Sequence, residues 1–361
     1  MNNFFNLWAL DKQFNLVSLL SPINVQWRRK WYEPGTFSIQ IPIEQWNNTF
    51  KYIYSPERPE VGAISQINYL SKNDGKQYII SGYFLENELN KRTCYKNGTT
   101  NITNSPTWTG YSGKAEDVAK IYFDSFKKVV YNVNGATITA DLPIQSGASL
   151  GRGKNSAHER NYELLGKKIS QILKPSEMAY RINYDYQNNS MTFVCAKGKD
   201  LTQSNTEGNN PVLFSTAYGN LTNPDVLLSY TDYKNAYIAY NDNDNYCLIG
   251  DRQSASDDDI IIKPVNARSK RSDYSDEQSY INALNSEGIN SLYDSKKKLS
   301  VDFSALVGSY EYMKDFDLGD KCSIDIPEIQ LSLDSVLIGC TEVIKAGAWS
   351  LTMEFDTDNS I

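Results

Sequence analysis

A chain of 361 residues, 40% hydrophobic and 12% aromatic, is long enough for two or three domains with cores of their own, which excludes a stapled mini-protein. Its 43 acidic and 36 basic residues leave a net charge of −7, the wrong sign for a protein that holds nucleic acid by neutralising phosphates. The 25 Tyr and 13 Phe, among many Asn/Asp/Gly turn signals, predict a β-rich chain in which helix is the minority.

Residues 1–92 read as a first β-domain. Its strands are predicted in FNLVSLL, VQWRRKWYEPGTFSIQIPI, VGAISQINYL and KQYIISGYFLENEL. Phe37, Ile39, Ile41 and Ile43 share one face at period two, and Pro34-Gly35 supplies a turn just before them, a barrel or sandwich pattern. The N-terminal MNNFFNLWALDKQFNL lacks a cationic leader region, and no run of 18 apolar residues occurs, so neither a signal peptide nor membrane insertion is expected.

Residues 93–205 predict an α+β domain. SGKAEDVAKIYFDSFKKVV sets Val118, Ile121, Tyr122 and Phe126 at helical spacing. In SAHERNYELLGKKISQILKP, Ser156 and Glu159 fit a capping box, Leu165, Ile169, Ile172 and Leu173 form the apolar stripe, and Pro175 is the stop. Two strands follow around Gln187-Asn188-Asn189, the first with Tyr180, Ile182, Tyr184 and Tyr186 on one face.

Residues 206–361 return to strands, with an inserted segment at about 251–300. Its helix is signalled by Ser275 with Gln278 as a second capping box, by Ile281 and Leu284, and by Gly288 near its end. In YEYMKDFDLGDKCSIDIP, alternation at Tyr310 and Tyr312 resumes at Cys322, Ile324 and Ile326, so Asp317-Leu318-Gly319-Asp320 is predicted to join two strands. Gly319 would take positive φ there, and Leu318 would drop into the core. Leu351, Met353 and Phe355 close the chain on a last strand after a turn at Gly347.

Signals for chemistry are weak. Gly113-Lys114-Ala115 and Gly153-Lys154-Asn155 both lack the upstream glycine and the Ser/Thr of a phosphate loop. Counted from Asp242, a calcium loop would put Cys247 where glycine is needed and Gln253 where glutamate is needed. His158, the single histidine, is expected exposed on a helix, and no pair of carboxylates stands out as an acid and base. Cys94, Cys195, Cys247, Cys322 and Cys340 are scattered, which predicts reduced, mostly buried thiols and no metal site. Lys296, Lys297 and Lys298 read as a solvated edge. Trp8, Trp27, Trp31, Trp46, Trp108 and Trp349 fit core or interface positions, or alternatively a sugar-stacking surface.

Taken in order, PGTFSIQIPI, YIISGYFLENELNKR, SGKAEDVAKIYF, ERNYELLGKKISQIL, MTFVCAKGKDLTQ, PVLFSTAYGNLTN, DYKNAYIAY and FDLGDKCSIDIP resemble the bacteriophage tail-hub family. That family includes siphovirus tail proteins and the N-terminal module of tail-associated lysins, and is similar to contractile-tail baseplate hubs. The resemblance implies a β-rich α+β fold with two tube-like β-barrels, an α+β middle domain and an inserted helical segment. It implies a homotrimer whose barrels make a quasi-sixfold ring at the virion tail tip or baseplate, or in a phage-like particle such as a bacteriocin, assembled in the bacterial host cytoplasm. The implied partners are a hexameric tail tube or distal tail protein, the tape-measure protein and a central spike or tip protein, with no stable nucleic-acid binding.

On this reading Gly35, Phe37, Leu318, Gly319 and Asp320 are turn and barrel determinants, and no catalytic, cofactor or metal residue is expected. Many relatives continue into a peptidase, lysozyme or receptor-binding region, whereas this sequence stops at Ile361, so the expectation is no enzyme. The alternative is a β-protein that binds or cleaves cell-wall carbohydrate.

Overall fold

Period-two burial builds the beginning of the chain. The computed structural model describes residues 6–72, 75–94, 110–133, 136–159, 163–241, 246–251, 260–267, 269–293, 295, 298–305 and 309–357. Its first strands are β1 (Leu7–Leu10), β2 (Leu16–Leu20), β3 (Asn24–Lys30), β4 (Thr36–Pro42), β5 (Tyr52–Tyr54), β6 (Gly62–Lys72) and β7 (Gly75–Phe84). Phe37, Ile39 and Ile41 point inward from β4, with Trp27 opposite Phe37 and Ile80 opposite Ile39, and they form a core with Val25, Phe50 and Phe84. Ile43 does not continue that face: it opens a short 3-10 turn, Ile43–Gln45. LENEL likewise turns into a 3-10 helix, Leu85–Lys91, and does not extend β7.

The middle of the chain contributes β8 (Gly110–Lys114), α1 (Ala115–Phe126), β9 (Lys128–Val133), β10 (Ala136–Asp141), β11 (Ile144–Ser146), β12 (Asn155–Glu159), α2 (Leu165–Leu173), β13 (Met178–Asp185) and β14 (Ser190–Lys197). Val118, Tyr122 and Phe126 of α1 pack with Leu165, Ile169 and Ile172 of α2 against Tyr180, Ile182 and Phe193. Ile121 faces outward at 39% exposure. The capping box at Ser156 and Glu159 is a false signal. Those residues lie in β12, whose backbone pairs with β8, and α2 starts at Leu165, where the backbone N–H bonds the Arg92 carbonyl.

Next come β15 (Asp200–Leu201), β16 (Leu213–Ser215), β17 (Leu221–Ser229), β18 (Ala236–Asn241), β19 (Tyr246–Asp251), β20 (Ile262–Asn266), α3 (Glu277–Tyr293), β21 (Lys298–Ala305), β22 (Lys321–Ile326), β23 (Leu331–Lys345) and β24 (Ala348–Thr357). The chain divides into two units, residues 1–223 with 303–355 and residues 224–302 with 356–361. In the second unit, β18 pairs with β19 antiparallel and β20 parallel. Tyr237, Ala239, Tyr280, Leu284 and Leu292 make its core. Two signals for α3 are corrected. Asp276 is the capping side chain, accepting from the Ser279 N–H at 2.8 Å, because Ser275 lies one residue too early. Gly288 lies inside the helix, where the Tyr237 ring occupies the space a Cβ would need.

In the first unit, sheet neighbours run β24, β23, β3, β4, β7, β6, β5, β1, β2. The 15-residue β23 carries β22 along its first half, Lys321 opposite Val336, and β3 along its second, Gly339 opposite Lys30. The molecule is β-rich, about half strand, and no closed barrel is found among the described residues. Tyr310 and Tyr312 are not in a strand. They lie in a turning segment in which Tyr312 bridges to Phe316, and their hydroxyls meet the Leu213 N–H and Arg29.

Candidate functional site: a charged cleft beside the Asp-Leu-Gly-Asp turn

Along one edge of β23, β22 ends opposite Val336 and β3 begins opposite Gly339. The turn Asp317–Asp320 fills the interval. Gly319 donates its N–H to the Leu337 carbonyl at 2.8 Å, Leu337 returns one to Asp320 at 2.9 Å, and Trp31 bonds Ile338 at 2.8 Å. Backbone groups that a sheet break would strand are thereby satisfied. Gly319 has φ +95°, and a Cβ there would overlap the Trp31 indole. Gly198 meets it from the other side, where any side chain would strike the Gly319 carbonyl. Leu318 and Asp320 are both buried, at 6% exposure. The Asp320 carboxylate accepts from the Lys199 N–H at 2.7 Å and the Asp317 N–H at 2.8 Å, while burial pushes its pKa up.

Beside this turn lies a cleft of about 360 Å³. Arg29 (3% exposed) is its centre, donating from Nε to Glu60 Oε1 at 2.7 Å and from Nη1 to Asp317 Oδ1 at 2.6 Å and Tyr312 Oη at 2.7 Å. Arg181 stacks 4.6 Å from the centre of the Trp31 ring and donates to the carbonyls of Tyr180, Trp31 and Lys30 at 2.8, 3.1 and 3.1 Å. Burial pushes the Arg181 pKa down, against the pull of Glu86 and Glu60. Burial also raises the Glu86 carboxyl, against the attraction of Arg181. A smaller cavity of about 150 Å³ lies along Gly198 and Gly319, lined by Glu177, Lys197, Asp200 and Lys321 among others.

Leu318 and Asp320 thus line the cleft, and Gly319 between them lines the smaller cavity. Gly35 and Phe37 do not. Gly35 sits where a Cβ would overlap Phe84, and Phe37 packs within the β3–β4–β7 core. Arg29, Glu60, Glu86 and Arg181 had not been singled out. One signal was available: in β3, Arg29 takes the inward parity set by Val25 and Trp27.

His158 is in β12, not on a helix, and burial beside Lys168 pushes its pKa down to about 4, so it is neutral at pH 7. Trp27 and Trp31 are buried. Trp8 packs on Tyr54 and Tyr186, Trp46 on Phe50 and Tyr78, and Trp349 bonds Glu342. Cys94, Cys195, Cys322 and Cys340 are buried, and burial raises Cys195 to about 12. Trp108, Lys296, Lys297, Asp242 to Asp244 and Asp257 to Asp259 fall outside the described residues, as does the side chain of Cys247. Among the described residues no group of three or more His, Cys, Asp or Glu is placed to hold a metal ion, and no helix is long and apolar enough to cross a membrane.

Residues 5–355 match the family described as Siphovirus ReqiPepy6 Gp37-like protein. The chain belongs to this phage tail protein family. Solved structures share its fold at low identity. A tail protein from Neisseria meningitidis MC58 is 9% identical, with 98% of this chain and 96% of that one covered at a TM-score of 0.57. The 43 kDa tail protein of prophage MuSo2 from Shewanella oneidensis is 9% identical, with 98% of each chain covered at 0.58. Prophage tail protein gp18 from Listeria monocytogenes EGD-e is 9% identical, with 98% and 95% covered at 0.53. No curated protein matches the chain.

Proposed function

We propose that this member of the tail protein family is a non-enzymatic structural hub of the tail tip or baseplate. It assembles as a homotrimer in which residues 1–92 and 206–361 act as two tube-like β-domains, with 93–205 between them and 251–300 as an insertion. The observation that carries the reading is a pair of exposed apolar sheet margins. Among the described residues, β6 from Ser65 onward pairs only with β7 and is exposed on both faces through Tyr69, with Ile67 at 49% and Tyr69 at 47%. β17 is the terminal strand of its sheet and exposes Leu227 and Leu228 at 58% and 40%. Long apolar strands with an unpaired edge invite another strand, and natural proteins otherwise protect them. A head-to-tail contact between such margins on successive copies generates a ring when the rotation closes.

On this reading the ring meets a hexameric tail tube or distal tail protein on one side and a spike or tip protein on the other. The tape-measure protein and the genome pass through an acidic lumen that repels phosphate. Against a glycan-binding role, the tryptophans of the described residues are buried or engaged by their own chain.

Sedimentation equilibrium tests the reading. A species of three times the 40.9 kDa chain is expected, reverting to monomer when Ile67→Lys and Tyr69→Lys place charge on the β6 edge. A monomer that binds or releases soluble fragments from peptidoglycan would overturn it in favour of the carbohydrate role.

A further inference from the structure

Hydrogen-bonding capacity in the cleft is unevenly spent. Arg29 is engaged by Glu60, Asp317 and Tyr312, and Arg181 by three carbonyls and the Trp31 ring. Lys314, also on the wall, pairs with Glu311. The acidic side has capacity left. Glu60 is 5% exposed, and its Oε2 accepts no hydrogen bond. Glu86, also 5% exposed, feels the attraction of Arg181 and of two backbone N–H groups, its own and that of Ile182. Two carboxyl groups more than nine-tenths buried therefore line one cleft, and the Oε2 of Glu60 is left without a hydrogen-bond partner.

A ligand suited to those positions must donate hydrogen bonds and carry positive charge. An anion would face Glu60, Glu86, Asp317 and Asp320 while the two arginines are already committed. A bare metal ion prefers a denser set of ligands than two carboxyl groups. At about 360 Å³ the cleft has room for a long side chain, and its wall includes the exposed Pro59, Asn183, Lys197 and Lys199. Those two lysines discourage a free small cation but suit a peptide that flanks its basic residue with acidic ones.

We propose that the cleft receives the alkylguanidinium or alkylammonium head of a side chain presented by a partner protein, with Glu86 and Glu60 as acceptors. The site lies wholly in the first unit, so its occupancy does not depend on whether the chain forms a ring.

Isothermal titration of the full chain with acetyl-arginine amide tests this. Burial favours the protonated Glu86, so a bound cation competes with that proton and affinity rises with pH. The expected result is saturable binding, at least fivefold tighter at pH 8 than at pH 5. It should be at least tenfold weaker in Glu86→Gln and undiminished in Lys199→Gln. Glu86→Gln keeps the shape of the neutral acid, and should it fail to fold, the pH dependence of the natural sequence decides alone. No saturation, an affinity independent of pH, or a loss in Lys199→Gln with phosphate competing for the cleft would each overturn the proposal. Putrescine binding as tightly as acetyl-arginine amide would overturn the assignment to a partner's side chain and give the cleft to a free amine.

Discussion

Two glycines, one in each unit, make room for an aromatic ring in different ways. Gly319 sits at φ +95° under the Trp31 indole, with the Gly198 backbone against its carbonyl, so both its torsion and its lack of a side chain are required. Gly288 lies in regular helix beneath Tyr237, where only the lack of a side chain matters. The first turn is fixed by backbone partners on β23 and by the buried Arg29 cluster. The second contact is a packing match between one helix and one sheet. The difference teaches that a glycine costs most to replace where torsion, space and a backbone hydrogen bond coincide.

Replacing Gly319 by Val should be the most damaging change, because strain at positive φ and overlap with Trp31 add together. A loss of about 3 kcal/mol is expected in urea unfolding of the first unit. An unchanged midpoint would mean that the turn adapts and the comparison fails.

Acid should also separate the units. His158 is the only histidine and belongs to the first unit. The unfolded chain takes up its proton near pH 6.5, whereas the folded chain does so only near pH 4. Its contribution is therefore full above pH 6.5 and is lost as pH falls toward 4, by about 3 kcal/mol in all. In His158→Asn that slope should disappear from the thermal transition of the first unit, and the second unit, which has no histidine, should behave alike in both proteins.

Gly288→Ala should cost less than Gly319→Val, about 1 to 2 kcal/mol. Better helix propensity returns about 1 kcal/mol against the displaced Tyr237 ring. Stabilisation in a melting experiment would show that the ring yields. Smallest is the cap of α3. Asp276→Ala should lose about 1 kcal/mol and Ser275→Ala only a few tenths, a ranking readable from helix protection in hydrogen exchange.

Local pattern carried much of this fold. Alternation at Phe37, Ile39 and Ile41, the stripe at Leu165, Ile169 and Ile172, and the return to strand at Leu351, Met353 and Phe355 were all visible, because each residue's neighbours two, three or four positions away decide its face. Capping signals misled where the competing partner was distant. Ser156 and Glu159 went into a strand because β8 was available to pair with them. The first strand LWAL, four residues long, was too short to register against its background.

The turn at Asp317–Asp320 announced itself as charge inside an alternating run, yet its role depends on the place where β22 stops and β3 starts along β23. Only that arrangement leaves backbone groups for Gly319 and Trp31 to satisfy. The cleft was less legible still. Arg29, Glu60, Glu86, Arg181 and Asp317 come from five separated segments, and each taken singly reads as an ordinary charged residue. Sequence determined which faces are apolar, since that follows from local periodicity. Tertiary structure decided which buried charges meet, since burial removes water and makes the choice of partner a property of the whole sheet.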